Sequence, residues 1–278
     1  MEDISLASQP DLSGPLVSII IPTVNRSSLL RETIVSVLAQ SFQSFEVIVV
    51  SDGGTDNTAE VLSDFADPRI RFFQRPAAKR PAVPRNFGIT QTRGKYVAFC
   101  DDDDLWVPDK LTRQVALMEA DSAVALCSTT VRVRLSDGSE KASSGIRGGE
   151  INLRRLYVKN LVATSSVLVR AAVLRELGDF DEAPELAPYE DYEYWLRLVS
   201  RHRAILIPDD LVTYRIHGRN VTPARLRGIR LVFKILLSAR QTIGAHGIWY
   251  WSCVVARWCQ YTGLRIMCWL SVLRSGSR

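Results

Sequence analysis

Four consecutive aspartates, Asp101-Asp102-Asp103-Asp104, directly follow the apolar run YVAFC at residues 96–100. Aspartates two apart project to the same side of an extended segment. Hard divalent cations take oxygen ligands from such carboxylates and keep positions open for phosphate oxygens. The chemistry on offer is therefore the holding of a metal-diphosphate. The plainer alternative is a solvated turn before a helix, with Asp104 or Asp109 complementing the helix N-terminus. A second acidic pair, Glu190-Asp191, opens the aromatic-rich stretch EDYEYWLRL; a carboxylate at such a place also serves as a helix cap. No G-x-G-x-x-G follows the first apolar run and no G-x-x-x-x-G-K-[ST] occurs, so a nucleotide, if bound, is held in another way.

The elements that would position these residues read as alternating strands and helices. LVSIIIP at 16–22 is a continuous β-branched run ending at a proline, the pattern of a strand buried on both faces. Ser27 or Ser28 caps a helix through about Gln40, with Leu30, Ile34, Val37 and Leu38 on one face. Strands follow at 45–50, 70–74 and 96–100, with helices starting near Thr55 and spanning 83–91. Further on come a helix at 110–119, a strand at 123–134, a polar loop at 136–149, a helix at 151–157, a strand at 166–170, a helix at 189–200 and a strand at 205–216. This spacing predicts an α/β fold: a doubly wound, mainly parallel sheet flanked by helices, with its ligand beyond the carboxyl ends of the strands. Thr23 to Arg26, Ser51 to Asp56 and Asp101 to Asp104 each follow a strand end.

IIIPTVNR at 19–26, VVSDGGTDNT at 49–58, RNFGI at 85–89, GKYVAFCDDDDLWVPDKL at 94–111 and EDYEYWLRL at 190–198 together closely resemble family 2 glycosyltransferases of the GT-A fold, over about residues 16 to 222. The resemblance implies an inverting transfer of a sugar from a nucleotide diphosphate sugar to an acceptor hydroxyl, assisted by Mg²⁺ or Mn²⁺. Asp103 matches the aspartate that coordinates the metal, Asp101 completes the D-x-D signature, and Asp102 matches a position near the donor ribose. Asp52 matches the acidic residue that hydrogen-bonds the base, with Pro22 and Val24 lining the same pocket. Arg80 falls where members place a basic residue near the nucleotide, and Arg85 is a second candidate. Ser51 stands where many members have an aspartate and Val24 where many have an aromatic. Asp191 matches the general base of a single displacement, in which the acceptor hydroxyl loses its proton on the face opposite the departing diphosphate; Glu190 shapes the acceptor site. His217, in Tyr214-Arg215-Ile216-His217, resembles a late Y-R-x-H motif near the active site and is a candidate for the metal or the diphosphate. Trp106 and Trp195 either shape the acceptor pocket or pack in helices and loops.

The 278 residues, 46% hydrophobic and 23% charged, have a globular composition that excludes disorder, collagen and a disulfide scaffold. The net charge of +5 is uneven, because nine of the 35 Lys/Arg and none of the 30 Asp/Glu lie beyond residue 223. Cys100, Cys127, Cys253, Cys259 and Cys268 form no CxxC pair and no zinc spacing, which points to a reducing compartment. MEDISLASQPDLSG lacks the features of a signal peptide. The expected division is a disordered leader at 1–15, a catalytic domain at 16–223 and a basic, apolar helical extension at 224–278, with helices at about 226–243 and 248–273.

The second of those helices is interrupted by Arg257 and Arg265, unlike an uncomplicated transmembrane span. It reads as an interfacial helix on an anionic membrane surface, where lipid-linked acceptors are found, or as a hairpin packed on the catalytic domain or on a second copy. Nucleic-acid binding has no motif to support it. The sequence thus points to a cytoplasmic, peripherally membrane-associated transferase that uses a UDP-sugar to extend a cell-surface glycan or lipid-linked precursor. The competing readings are a catalytically silent glycan-assembly partner, which loss of Asp103 or Asp191 would signal, and a sugar-phosphate nucleotidylyltransferase, whose Gly-rich basic first turn IPTVNR does not supply.

Overall fold

The computed structural model describes residues 14–143, 145–218, 231–236, 250–252 and 255. The expected leader up to residue 13 and most of the expected extension lie outside these residues. Val17–Thr23 (β1) is the largely apolar first strand, flanked in parallel by Phe45–Asp52 (β2) and Tyr96–Phe99 (β4), while Ile70–Arg75 (β3) pairs with β2. The rest of the sheet is made by Leu105–Trp106 (β5), Val124–Arg134 (β6), Glu140–Lys141 (β7), Gly149–Ile151 (β8), Leu168–Arg170 (β9) and Arg203–Arg215 (β10). The order is β3-β2-β1-β4-β9-β6-β10-β5, with β7 on β6 and β8 on β10. The long pairings, β1–β2, β2–β3, β1–β4 and β6–β10, are parallel. The antiparallel ones join at most three residue pairs each.

Both faces of the sheet are covered, and the pleat sorts side chains between two cores. Ile19, Ile21, Tyr96 and Ala98 face Leu30, Ile34 and Val37 of Ser27–Leu38 (α1) and Leu111, Val115 and Met118 of Lys110–Ala120 (α4). Ile20, Val97 and Phe99 face the other core, built with Leu153–Val158 (α5), Ala171–Leu177 (α6) and Glu190–Val199 (α7). Two short helices, Thr58–Ser63 (α2) and Ala82–Thr90 (α3), follow β2 and β3. In α3, Gly88 lets the helix approach β1, since a Cβ there would lie 2.5 Å from Ile20.

The structure differs from the sequence expectations in four places. α2 starts at Thr58 rather than near Thr55, because Asn25 Oδ1 accepts the Thr55 and Asp56 backbone N–H groups and holds that stretch as a turn. The polar stretch at 136–149 contains β7 and leads into β8. Thr164–Ser166 forms a 3₁₀ turn ahead of β9, and α6 occupies residues with no helix expected. Of the expected extension, Val232, Ile235, Leu236 and Tyr250 are buried in the second core. The Tyr250 ring meets that of Tyr157 edge-on at 5.5 Å, and its hydroxyl donates to the Leu236 carbonyl. Among the described residues, no helix is long and apolar enough to cross a membrane.

Candidate active site

Parallel pairing brings the ends of β1, β2 and β4 to one edge of the sheet. Ile20 pairs with Phe99, and the Cys100 N–H donates to the Ile20 carbonyl at 3.0 Å, so the aspartate run emerges beside Thr23. Asp102, Asp103 and Asp104 are 4%, 6% and 3% exposed, which rules out a solvated turn. Each is held by hydrogen bonds from other elements. Thr23 Oγ1 donates to Asp102 Oδ2 at 2.7 Å, and Arg26 Nη1 bridges Asp102 Oδ1 at 3.1 Å and Asp103 Oδ2 at 2.9 Å. Ser165 Oγ donates to Asp104 Oδ2 at 2.5 Å and accepts the Asp101 N–H at 3.0 Å. Burial pushes the Asp102 carboxyl up to about 6 against the opposing hydrogen bond of Thr23 and charge of Arg26. Burial also holds Asp104 well above the ordinary carboxylate range, with Asp101 and Asp103 adding to the effect.

His217 Nε2 lies 2.9 Å from Asp103 Oδ2, so the late motif and the D-x-D motif meet. Arg215 of the same motif acts differently. Its guanidinium donates to the Asp103 carbonyl, to Glu32 and to the Leu29 carbonyl, tying α1 to the aspartate loop. Carboxylate oxygen is a donor suited to Mg²⁺ or Mn²⁺, and such ions keep several positions for water and phosphate. The convergent pair Asp103–His217, with the half-exposed Asp101 nearby in sequence, fits an open site of that kind. Among the described residues no group of three or more His, Cys, Asp or Glu is placed to hold a metal ion.

Asp52 ties together the end of β2 and the loop after β3. Its two carboxylate oxygens accept the backbone N–H groups of Ala78, at 2.8 Å, and Lys79, at 2.9 Å. The loop after β3 is thereby clamped over Gly53, which has φ +74° and no room for a Cβ: Ala77 Cβ would be 2.4 Å away. Ser51 Oγ accepts the Gly54 N–H, so the departure from the family's aspartate pair is used to close this turn. Pro22 sits in β1 and Val24 stands 45% exposed just past its end, an apolar surface beside the clamped loop. Arg80 donates to the Glu182 carbonyl at 2.9 Å.

On the other side of the aspartates, α7 begins with three carboxylates in its first turn, Glu190, Asp191 and Glu193, which suit the positive end of a helix. Arg85 joins the two sides. Its buried guanidinium donates from Nη1 to Glu190 Oε1 at 2.5 Å and from Nη2 to Asp101 Oδ1 at 2.7 Å. Burial alone would weaken its hold on the proton, but Asp101, Glu190 and Asp191 outweigh it and keep the guanidinium firmly charged. Asp191, of intermediate exposure, accepts Thr164 Oγ1 at Oδ2 (2.8 Å) and the Tyr192 N–H at Oδ1 (2.7 Å). Burial, helped by Glu190, raises its carboxyl to about 6, while Arg85 and Thr164 pull the other way.

The structure thus gathers Asp101, Asp102, Asp103, His217, Arg85, Glu190 and Asp191 at one edge, and Arg80 lines a cavity with Glu190. Trp106 and Trp195 are both buried. Trp106 Nε1 donates to the Ser165 carbonyl, and Trp195 packs against Phe99 and Phe180. Arg26, Thr164, Ser165 and Arg215 are site residues that the sequence reading did not single out.

Residues 18–178 match the family described as Glycosyl transferase family 2. The chain belongs to that family, and its fold is the GT-A fold. An uncharacterized glycosyltransferase of Rickettsia bellii is 33% identical over 209 residues, 74% of this chain and 29% of that protein. The chain spans about 30% of the length of that relative and of a second one from Rickettsia felis. A UDP-Glc:alpha-D-GlcNAc-diphosphoundecaprenol beta-1,3-glucosyltransferase of Escherichia coli is 27% identical over 218 residues, 76% of this chain and 82% of that protein. Among solved structures, residues 1–349 of Staphylococcus aureus TarS in complex with UDP-GlcNAc align with a TM-score of 0.69 at 19% identity, covering 90% of this chain and 74% of that one. A Pyrobaculum calidifontis mannosyltransferase in complex with GDP-Man and Mn²⁺ aligns with a TM-score of 0.62 at 19% identity, covering 97% and 81%. At these identities the structural likeness concerns the fold.

Proposed function

We propose that the chain is an inverting glycosyltransferase that moves a sugar from a nucleotide diphosphate sugar, UDP-linked, onto an acceptor hydroxyl of a cell-surface glycan or a lipid-linked precursor. The observation that carries this reading is the buried fork of Arg85, which sets the donor-side aspartate Asp101 and Glu190, the neighbour of Asp191, on one guanidinium. In the displacement, the acceptor oxygen bonds to the anomeric carbon as the bond from that carbon to the diphosphate oxygen breaks, and the hydroxyl proton passes to Asp191. A carboxylate raised to about 6 is a stronger base than an ordinary aspartate and is still ionised at neutral pH. Asp103 and His217, with Asp101, are the residues that would hold Mg²⁺ or Mn²⁺. When bound, the ion supplies positive charge to the departing diphosphate. Pro22, Val24 and Asp52 line the base side, Asp52 acting through the loop that it clamps, and Asp102 faces the ribose.

The UDP-sugar preference is supported by the donor named for the Escherichia coli relative and by the UDP-GlcNAc complex of the Staphylococcus aureus structure. The Mn²⁺ in the Pyrobaculum complex supports the cation. The diphosphoundecaprenol acceptor in the Escherichia coli relative's name supports a lipid-linked acceptor and, with the basic chain beyond residue 223, a peripheral place at a membrane surface.

The test is hydrolysis of a panel of UDP-, GDP- and dTDP-sugars by the purified chain with and without divalent cation. Slow hydrolysis of one donor is expected, lost by about a hundredfold or more in Asp103→Ala and in Asp191→Ala. Donor binding should survive in Asp191→Ala. A chain that neither hydrolyses nor binds any donor on the panel would be a silent member of the family.

A further inference from the structure

Residues from two elements outside α7 act on the Glu190-Asp191 pair, and each of those elements also holds a donor-side aspartate. From α3, Arg85 reaches Glu190 and Asp101 with separate nitrogens. From the 3₁₀ turn, Thr164 Oγ1 donates to Asp191 Oδ2 at 2.8 Å, while the next residue, Ser165, donates to Asp104 and accepts from the Asp101 backbone. The turn itself is fixed from behind. Trp106 Nε1 donates to the Ser165 carbonyl at 2.9 Å, and Gln114 Nε2 donates to the Ser166 carbonyl at 2.8 Å. The metal-side aspartates and the Glu190-Asp191 pair are therefore linked by two bridges, Arg85 between Asp101 and Glu190 and the Thr164-Ser165 turn between Asp191 and Asp104.

The groups facing Asp191 are Glu190 on its own helix, Arg85 from α3, Thr164 from the turn and the Tyr192 N–H. Glu190 and burial favour the protonated acid; the guanidinium and the hydroxyl favour the carboxylate. An ionised carboxyl has about four lone-pair positions, and the Thr164 and Tyr192 bonds take one on each oxygen. Both oxygens keep capacity to receive a proton.

We propose that Thr164 and Arg85 are positioning residues that keep Asp191 ionised and hold its carboxylate in register with the donor-side aspartates. This rests on the reading of Asp191 as the base, but its test needs neither donor nor acceptor. The full chain is labelled with ¹³C at the aspartate γ-carbons, the Asp191 signal is assigned by its loss in Asp191→Asn, and its titration is followed from pH 4 to 9. The expected wild-type midpoint is about 6. Thr164→Val keeps the side-chain shape, removes the hydroxyl and raises the midpoint by about half a unit or more. Arg85→Met raises it further, and Arg85→Lys returns it towards the wild-type value. If Arg85→Met does not fold, as judged by near-UV circular dichroism, Thr164→Val alone decides. A Thr164 that only packs the turn leaves the midpoint where it was, and that result overturns the proposal. Full transfer activity in Asp191→Asn would instead remove the base reading and leave the titration result standing, so the two failures are distinguishable.

Discussion

As the proposed base, Asp191 must be buried enough to bind a proton well and open enough to meet an acceptor, and the helix end serves both at a cost in stability. Its carboxyl lies at about 6 in the fold against 3.8 for the ordinary side chain. Between those values the folded chain holds the proton more tightly than the unfolded one, so this group's favourable contribution is present at acid pH and lost as pH rises through 6. Asp191→Asn is accordingly expected to lose transfer activity by about 10²-fold or more while gaining about 1 kcal/mol of stability at pH 7.5. The gain should shrink as pH falls towards 4. Thermal unfolding at the two pH values, beside an activity assay, checks both halves; a variant less stable than wild type at pH 7.5 would contradict the argument. In the wild type, activity should fall on the acid side below about 6 as the base takes up its proton.

At the scale of elements, the β2 turn and the loop after β3 act as one piece. Gly53→Ala would place a methyl 2.4 Å from Ala77 Cβ at a φ of +74°. It should cost about 1–3 kcal/mol and weaken donor binding with little change at Asp191, as read by thermal unfolding and nucleotide titration. The start of α4 carries a different penalty. Lys110 is fully buried with its ammonium 3.7 Å from the centre of the Trp106 ring and no hydrogen-bond partner, and burial lowers it from 10.5 to about 7. Stability from this group is present above 10.5 and lost as pH falls to 7. Lys110→Met should therefore stabilise by about 2 kcal/mol near pH 7, less whatever the ring attraction supplies, and by little at pH 10; chemical denaturation at both pH values tests it.

The sequence was informative about such elements where chemistry and periodicity are local. The apolar runs of β1, β2 and β4 and the aspartates at their ends are legible, and so is α7 with its acidic start. α6 was not, because AAVLREL has no polar cap and follows β9 without a break. Nor was the Thr164–Ser166 turn, whose three small polar residues look like the start of a strand until Trp106 and Gln114 are seen to hold their carbonyls. The short antiparallel β9 between β4 and β6 is a long-range pairing that no window of sequence contains. Arg85 shows the same limit at the site. Its charge and its motif suggested a nucleotide contact, whereas its partners Asp101 and Glu190 lie 16 and 105 positions away in the chain.

For the whole molecule, the segment beyond residue 223 joins two properties, buried apolar residues among those described and a sequence with nine Lys/Arg and no Asp/Glu. Val232, Ile235, Leu236 and Tyr250 are buried against the second core, next to Tyr157. Deleting 224–278 is expected to cost on the order of 5 kcal/mol from lost apolar burial, so a soluble truncated chain would say little about lipid. The informative experiment keeps the chain intact. Nine Lys/Arg and no Asp/Glu in this segment should draw it to anionic surfaces at about 1 kcal/mol for each charge that reaches the lipid. Co-sedimentation is expected with phosphatidylglycerol-containing vesicles and not with phosphatidylcholine alone. It should weaken between 0.1 and 1 M salt, as the screening length falls from about 10 to about 3 Å, and on changing Arg257 and Arg265 to glutamate. Sedimentation indifferent to lipid charge and salt would remove the membrane reading and leave the positive charge to a protein contact, such as a second copy of the chain, which the same preparation would reveal as a concentration-dependent mass.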